Sequence, residues 1–407
     1  MKRVLLVNSD LAKNRGDRAI AEGNVQLIRE TFPDAKIVGL SENPDRDSRW
    51  YGIGFLPMDF QSLSPFDLIT LLRVASRSDA VMWGGGEILK DYTNKAALWY
   101  WVIKMTLVSV VNSNLYGLYQ GIGPTASPLS KRLIAFVAGR TRGFIVRDDE
   151  SRRKLVSWGV PEGKVHASSD PAVLPQPSAP SPELTRRLAE DGLDEAFLSN
   201  FVCIGPRDWF HYKTGGWLPF KYRERVRALL GRPPRGESEQ HRHYRRALGA
   251  LVSALSESGT NLLLVPMHME ESDTELCLEL QEVAGGPAGA RVLNSDTLSP
   301  AELRSVVGRA RAMIGFRLHS NIIGVSAGVP SVNIFYVDKG RLFFEQIGQS
   351  ANSVAIEESL RADFVPRVTA MLSSLLARRD EVSAELQRAT DRLRDDVRAT
   401  FREVVHG

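Results

Sequence analysis

Short apolar runs alternate with longer segments of helical spacing along most of the chain. This alternation is typical of α/β folds, in which parallel strands are buried on both faces and read as continuous apolar runs. In the first half the predicted strands are Val4–Val7, Lys36–Val38, Ala80–Met82, Leu115–Tyr119, Gly143–Val146 and Lys164–His166. The predicted helices are Asp17–Thr31, Leu98–Val111, Leu129–Gly139 and Asp149–Trp158.

A proline-rich stretch interrupts this pattern. Residues 171–182 include five prolines, and proline fits neither a helix interior nor a central strand. The alternation then restarts, with strands predicted at Phe201–Ile204, Asn261–Val265, Val292–Leu293, Ala312–Gly315 and Ser331–Ile334. The helices predicted here are Tyr244–Glu257, Glu275–Val283, Pro300–Ala310 and Ile322–Ala327.

The pattern therefore predicts an α/β fold of two Rossmann-like, doubly wound domains that face each other across a crevice. We place the first domain at residues 1–174, a proline-rich linker at 175–195 and the second domain at 196–365. Residues 366–407 have helical spacing and dense mixed charge, which predicts surface helices that pack back across the domains.

The composition is that of an ordinary globular protein, with 407 residues of which 43% are hydrophobic and 25% charged. Lys and Arg number 52 against 48 Asp and Glu, and this small excess gives no reason to expect a nucleic-acid partner. Two distant cysteines exclude a disulfide scaffold and a Cys-based zinc site, and they fit a cytoplasmic location. No signal peptide is predicted. Leu98–Val111 is the nearest approach to a membrane span, and we interpret it as a buried helix, with membrane contact as the alternative.

Polar and glycine residues follow the predicted strands of the first domain. Asp17 stands at the start of a helix, either as its N-cap or as part of a ligand contact there. Gly84, Gly85, Gly86 and Glu87 follow another strand. A tight turn needs only one glycine, so three in a row favour close contact between the backbone and a polar ligand.

Two further strand ends carry candidate residues. Gln120 begins a Gln-Gly-Ile-Gly-Pro run directly after a strand, to which the same argument applies. Arg147 ends the next strand, where its guanidinium either faces the crevice or pairs with Asp148 or Glu150.

The second domain holds the most informative motif. Arg317 and His319 are separated by one residue after a strand, so both side chains can enter one crevice. A Gly-Val-Pro turn and the following strand bring Lys339 to the same edge. Arg offers a permanent bidentate charge and His exchanges a proton near neutral pH, which suits a small molecule bearing phosphate and carboxylate groups. The structural alternative is a buried histidine beside a salt-bridged arginine.

Several other kinds of site are not indicated. The chain has no GxGxxG run and no GxxxxGK[ST] loop. No cluster of His, Cys or carboxylate residues has the spacing of metal ligands, so no metal is expected.

Taken in order, these motifs resemble those of the polysaccharide pyruvyl transferase family. No single motif is specific to this family. The ordered series is specific, and it covers most of the chain. Its elements are Asn14-Arg-Gly-Asp17, Trp83-Gly-Gly-Gly-Glu87, Gln120-Gly-Ile-Gly-Pro124, Val146-Arg-Asp148 with Ser151, Ser169-Asp-Pro-Ala172, Gly205-Pro-Arg207, Arg317-Leu-His319, and Gly328-Val-Pro330 with Tyr336 and Lys339.

The resemblance implies a GT-B-like pair of domains and transfer of pyruvate from phosphoenolpyruvate to a sugar as a ketal, with release of phosphate and no cofactor. It implies donor binding by Arg207, Arg317, Leu318, His319 and Lys339. We expect His319 and Arg317 to act in catalysis, with His319 as general acid. We expect the acceptor side of the crevice to contain Asp17, Gly84, Gly85, Gly86, Glu87, Gln120 and Arg147, with Asp17 or Glu87 as the base.

The acceptor and the partners stay open at this level. The sugar is either free or lipid-linked, and peripheral contact with the inner face of the membrane is compatible with the sequence. The stretch Lys221–Arg246 departs from the family pattern, and we interpret it as a solvated insertion, with contact to an acceptor or to anionic lipid as the alternative. Two rival functions are a GT-B glycosyltransferase that uses a nucleotide sugar and a non-catalytic anion-binding protein of the same fold.

Overall fold

The computed structural model describes residues 1–92, 94–210, 238–269, 273–293 and 297–407. Most of the Arg-rich stretch predicted as an insertion, residues 221–246, lies outside the described residues. Within the described ranges, no helix is long and apolar enough to cross a membrane.

The first domain is built on a seven-stranded parallel sheet with the spatial order β3-β2-β1-β4-β5-β6-β7. Its strands are β1 (Arg3–Val7), β2 (Lys36–Ser41), β3 (Gly54–Pro57), β4 (Ala80–Gly84), β5 (Leu115–Gln120), β6 (Gly143–Val146) and β7 (Val165–Ala167). Its helices are α1 (Arg15–Thr31), α2 (Pro44–Tyr51), α3 (Pro65–Ser76), α4 (Lys95–Val111), α5 (Pro128–Gly139) and α6 (Asp149–Ser157). The strand order reverses between β1 and β4, and at such a switch point the loops diverge and open a crevice.

The second domain repeats this design on six parallel strands. Helices α7 (Pro182–Glu190) and α8 (Glu195–Leu198) precede it. Its strands are β8 (Phe201–Gly205), β9 (Asn261–Leu264), β10 (Ala290–Val292), β11 (Ala312–Gly315), β12 (Ser331–Phe335) and β13 (Ser353–Ala355), in the order β10-β9-β8-β11-β12-β13. Its helices are α9 (Glu239–Glu257), α10 (Asp273–Val283), α11 (Pro300–Val307), α12 (Leu318–Ser326) and α13 (Asp338–Gln346), and α14 (Phe364–Ala377) and α15 (Arg379–His406) end the chain.

The predicted α/β class and its two parallel sheets are confirmed, and each predicted strand overlaps an observed one. The sequence pattern missed β3 because this edge strand is half exposed and does not read as an apolar run. It also missed β13 and the helices α2, α3, α7, α8 and α13. Short 3-10 turns occur at Glu162–Lys164, Pro171–Val173, Gly286–Ala288, Ser350–Asn352 and Ile356–Leu360.

The interpretation of Leu98–Val111 as a buried helix holds for only one side of the helix. Helix α4 buries Leu98, Trp101 and Met105 against the sheet, whereas Ile103 and Val110 are exposed. The helix is apolar on all sides, so sequence periodicity could not tell which side faces the sheet.

The two domains are joined by backbone and side-chain contacts. The turn before α1 pairs with the loop after β9, where the Arg15 N–H donates to the Met267 carbonyl oxygen at 3.0 Å. Residues 171–174, in the proline-rich stretch, are buried. Helix α15 packs under the first sheet, and the Tyr119 hydroxyl donates to the Val397 carbonyl oxygen at 2.7 Å. The carboxyl ends of both sheets therefore face each other across one crevice.

Candidate functional site

The loop after β1 brings the start of α1 into the crevice. The Asn14 side chain is the N-cap of this helix, because its oxygen accepts from the Gly16 and Asp17 N–H groups. One interpretation of the sequence made Asp17 the N-cap, and the structure shows that it is not. Its carboxylate is therefore available for other contacts. Burial and the neighbouring Asp10 carboxylate raise the pKa of Asp17 to about 7, although Lys339 and Arg147 act in the opposite direction.

The three glycines after β4 allow close packing against the loop after β1. A Cβ on Gly84 would lie 2.5 Å from the Asn24 side chain, and one on Gly85 would lie 1.9 Å from Ser9 Oγ. Gly85 and Gly86 also have positive φ, at 129° and 54°. Packing within the protein thus accounts for glycine at these positions without a bound ligand, and it holds Glu87 at the end of the loop.

Glu87 is surrounded by cations from both domains. Its carboxylate lies 3.5 Å from Arg147 Nη2, 3.6 Å from Lys90 Nζ and 3.9 Å from Lys339 Nζ. Burial by itself would raise the pKa of Glu87, but Lys339, Lys90 and Arg147 together lower it to about 2. Glu87 is therefore ionised at neutral pH.

Arg147 links Glu87 to a second carboxylate. Its Nη1 donates to Asp170 Oδ2 at 3.2 Å, whereas Asp148 caps α6 by accepting from the Ser151 N–H. Of the two options left by the sequence, Arg147 faces the crevice, and its ion-pair partners are Glu87 and Asp170. The Gly121 backbone lies against its guanidinium, where a Cβ would come within 2.5 Å of Nη2.

His319 reaches the same network from the second domain. Its Nε2 lies 3.3 Å from Asp170 Oδ2, and its other side packs against Gly16, whose Cβ would lie 2.4 Å from Nδ1. Burial, Arg147 and Lys339 outweigh the attraction of Asp170 and place the pKa of His319 below its usual value. In the free protein the imidazole is therefore mainly neutral at pH 7.

Arg317 is held by a carboxylate on helix α10. Its Nε and Nη2 donate to the two oxygens of Asp273 at 2.6 and 3.0 Å, which fixes the plane of the guanidinium. Leu318, the next residue, is buried and begins α12. It lines a small cavity together with Arg147, Asp170 and Lys339.

Tyr336 lies among three of the predicted donor ligands. The guanidinium carbon of Arg207 lies 4.6 Å from the centre of its ring, and Lys339 Nζ lies 5.9 Å away. Burial would raise the pKa of Tyr336, but Arg207, Lys339 and Arg317 together lower it to about 8. This lowered pKa indicates a positive potential around the phenol.

The structure thus brings Arg207, Arg317, His319 and Lys339 to one side of the crevice, with Asp17, Glu87 and Arg147 on the other. Gln120 is fully buried and donates to the Trp83 carbonyl oxygen at 3.0 Å, so it joins β4 to β5 rather than facing open space. Residues that the sequence did not single out for the site are Asp170, Asp273, Tyr336 and Lys90. Asp170 and Tyr336 stood in the motif series, whereas nothing in the sequence pointed to Asp273 or Lys90.

Comparison with known proteins gives the chain a family and a fold. The family model described as polysaccharide pyruvyl transferase matches residues 14–338. The amylovoran biosynthesis protein AmsJ of Erwinia amylovora is 21% identical over 427 residues, which cover 96% of each chain.

Solved structures resemble the chain over all or nearly all of its length. HepE of Anabaena, solved with UDP-glucose, is 11% identical with a TM-score of 0.58 and coverage of 100% of this chain and 98% of its own. The UDP-GlcNAc 2-epimerase of Neisseria meningitidis is 9% identical with a TM-score of 0.58 and full coverage of both chains. The ADP-heptose heptosyltransferase II of Escherichia coli is 14% identical with a TM-score of 0.51, covering 93% of this chain and 100% of its own.

These structural likenesses confirm a GT-B-like fold and show nothing about substrates. The family match spans most of the chain, including Asp17, Glu87, Arg147, Arg317 and His319. The chain therefore belongs to the polysaccharide pyruvyl transferase family, a family of transferases.

Proposed function

We propose that the protein transfers pyruvate from phosphoenolpyruvate to a sugar of a polysaccharide or its lipid-linked precursor, forming a ketal and releasing phosphate. The observation that carries this proposal is the convergence of Arg207, Arg317 and Lys339 around Tyr336. Such a set of cations, supported by buried carboxylates, can bind and orient a small molecule with one phosphate and one carboxylate.

His319 is the proposed general acid. Its imidazole is mainly neutral in the free protein, but the negative charges of a bound donor would favour the imidazolium form. The imidazolium gives its proton to the enol carbon of the donor, and a sugar hydroxyl attacks C2. The C2–O bond to phosphate then breaks and phosphate leaves. A second sugar hydroxyl attacks C2 and closes the ketal, and its proton goes to the now neutral imidazole of His319.

Asp17 is the better of the two candidate bases. A general base works best when its pKa lies near the operating pH, and the pKa of Asp17 is about 7. Glu87, with a pKa of about 2 and three cationic neighbours, is a weak base. In this proposal Asp17 takes the proton of the attacking hydroxyl, and Glu87 holds Arg147 and Lys339 in place. No further cofactor enters the reaction.

The proposal is tested by measuring phosphate release from phosphoenolpyruvate with a panel of free and lipid-linked sugars. We expect phosphate release that depends on one acceptor, and no consumption of UDP-glucose under the same conditions. Consumption of the nucleotide sugar instead would favour the glycosyltransferase alternative. Absence of donor binding in a titration would favour the non-catalytic one.

His319→Ala is the first variant to compare in this assay. Loss of a positioned acid lowers turnover by about 10²–10⁴-fold. His406→Ala is the matched control, because His406 is an exposed histidine at the end of α15, outside the crevice. Near-normal turnover of His319→Ala would remove His319 from the mechanism.

A further inference from the structure

A cluster of exposed apolar side chains lies on and next to helices α3, α4 and α5, on the side away from the first sheet. We call this cluster the outer face, and its members are Leu63, Phe66, Ile69, Ile103, Leu107, Val110, Val111, Leu129 and Phe136. Among the described residues, the other exposed large hydrophobic side chains are Leu278 and Val283 on α10. The three helices pack side by side on the first sheet. Apolar residues concentrated in this way mark an interaction surface, whereas single exposed ones do not.

The apolar side chains are held outward by the fold. Lys104, the one charge in the middle of α4, turns inward, and its Nζ donates to the Phe60 carbonyl oxygen at 2.7 Å. The Tyr100 hydroxyl donates to the Ser62 carbonyl oxygen at 3.0 Å. These bonds fix the segment that carries Leu63 and Phe66, whose exposed fractions are 86% and 77%. The two side chains thus project from an anchored backbone.

The charges around this face are mainly positive. Apart from the inward-facing Lys104, the basic residues of the three helices are Arg73, Lys95, Lys131 and Arg132, whereas Asp67 is their acidic residue. Asp67 accepts a hydrogen bond from Ser62 at the start of α3. Within the described ranges, the exposed Arg73 and Arg132 have no ion-pair partner. Exposed apolar side chains with a basic surround are typical of surfaces that lie on anionic lipid.

A second copy of the chain fits this face less well. A symmetric dimer through the outer face would place one basic surface against an identical one, and like charges across an interface weaken association. Leu63, Phe66 and Leu129 also lie at the starts of α3 and α5, the ends of these helices nearest the carboxyl edge of the sheet. The crevice opens at this edge, so a bilayer against the outer face would lie close to its mouth.

We propose that the outer face docks the protein on an anionic lipid bilayer. Phe66, Leu63 and Leu129 enter the interface, while Arg73 and Arg132 contact the lipid headgroups. Together with the proposed function, on which this last step rests, docking at the mouth of the crevice favours a lipid-linked sugar as the acceptor.

The test is cosedimentation of the full-length protein with vesicles, without donor or acceptor. Vesicles of phosphatidylcholine alone are compared with vesicles that also contain phosphatidylglycerol. We expect binding to the anionic vesicles, weakened by salt. Each basic residue near an anionic surface strengthens binding by about fivefold. Arg73→Glu/Arg132→Glu should therefore lower the partition coefficient by at least about tenfold.

Matched controls separate this face from the rest of the surface. Arg388→Glu/Arg392→Glu makes the same change of charge on α15, on the opposite side of the first sheet, and should bind like the wild type. Phe66→Ser/Leu129→Ser should weaken binding, whereas Leu278→Ser/Val283→Ser should not. All of these positions are exposed, so the variants should fold.

Three outcomes would overturn the proposal. They are equal binding to neutral and anionic vesicles, no binding to either, and self-association that Phe66→Ser/Leu129→Ser abolishes. Because the assay contains no substrate, its result does not depend on whether phosphoenolpyruvate is the donor. Failure of docking and failure of the proposed reaction are thus distinguishable.

Discussion

The loops after β1 and β4 each bring a carboxylate into the crevice, and the two carboxylates have opposite pKa shifts. Asp17 lies beside Asp10, and burial and this like charge raise its pKa to about 7. Glu87 is also buried, but Lys339, Lys90 and Arg147 lower its pKa to about 2. Burial acts in the same direction on both groups, so the charged neighbours decide the outcome. The Asp17 carboxyl group can therefore exchange a proton near neutral pH, while the Glu87 carboxylate supplies a fixed negative charge.

The largest expected effect comes from Asp17→Asn. The amide cannot accept the proton of the acceptor hydroxyl, so turnover should fall by about 10²–10⁴-fold. Steady-state phosphate release with the acceptor that the panel of sugars identifies measures this. Asp45→Asn is the matched control, because Asp45 also lies in the first turn of a helix but is exposed and outside the crevice. Equal losses in the two variants would contradict the assignment of Asp17.

Asp17→Asn should also change how the free energy of unfolding depends on pH. Between pH 4 and pH 7 the unfolded chain carries an ionised Asp17, whereas the folded protein keeps it protonated. Stability of the wild type relative to the variant should thus fall as pH rises through this range, by up to about 1.4 kcal/mol per pH unit, and level off above pH 7. Urea unfolding of both proteins at several pH values measures this difference in the free energy of unfolding. A pH-independent difference would refute the raised pKa.

For Glu87→Gln we expect the opposite dependence of stability on pH, and a larger effect on stability than on turnover. It leaves Arg147 and Lys339 without their shared carboxylate, and breaking a buried ion pair costs about 3–5 kcal/mol. The stabilisation by Glu87 is fully present above pH 4.5 and is lost as pH falls toward 2. The control is Glu162→Gln, whose exposed ion pair with Arg152 should contribute about 0–1 kcal/mol. Equal destabilisation of both variants at pH 7 would contradict the role given to Glu87.

Arg317→Lys should have a smaller effect, confined to the donor side. Lysine keeps the charge but not the planar fork that Asp273 orients, so one charge-assisted hydrogen bond to the donor is lost. The KM for phosphoenolpyruvate should rise by about tenfold or more. Arg341→Lys, on the exposed side of α13, should leave this KM unchanged. An unaltered KM in Arg317→Lys would argue against donor binding by Arg317.

Tyr336→Phe should have the smallest effect at pH 7, within about threefold in donor affinity, since only a neutral hydroxyl is removed. Above pH 8 the wild-type phenol ionises and offsets part of the charge of Arg207 and Lys339. Donor affinity of the wild type should therefore fall as pH rises through about 8, whereas that of the variant should not. Isothermal titration at pH 7 and pH 9 measures the difference, and parallel curves would remove Tyr336 from the donor site.

Much of the fold could be predicted from the sequence, because buried parallel strands give continuous apolar runs. The edge strand β3 and the exposed side of α4 could not, since edges and outer layers lack a distinct apolar signature. In the site, Arg317, His319 and Lys339 were found by their positions after strands. Asp273 was not, because it pairs with Arg317 across 44 residues of sequence.

The sequence by itself determined the two-domain α/β plan, the family and the set of chemistry-bearing residues at the strand ends. The tertiary structure decided the partner of each of these residues. Asp17 and Glu87 are both carboxylates after strands in one domain, and no local pattern tells which of them meets Lys339. Their pKa values depend on charges from other loops and from the second domain, because electrostatic interactions act through space and not along the chain.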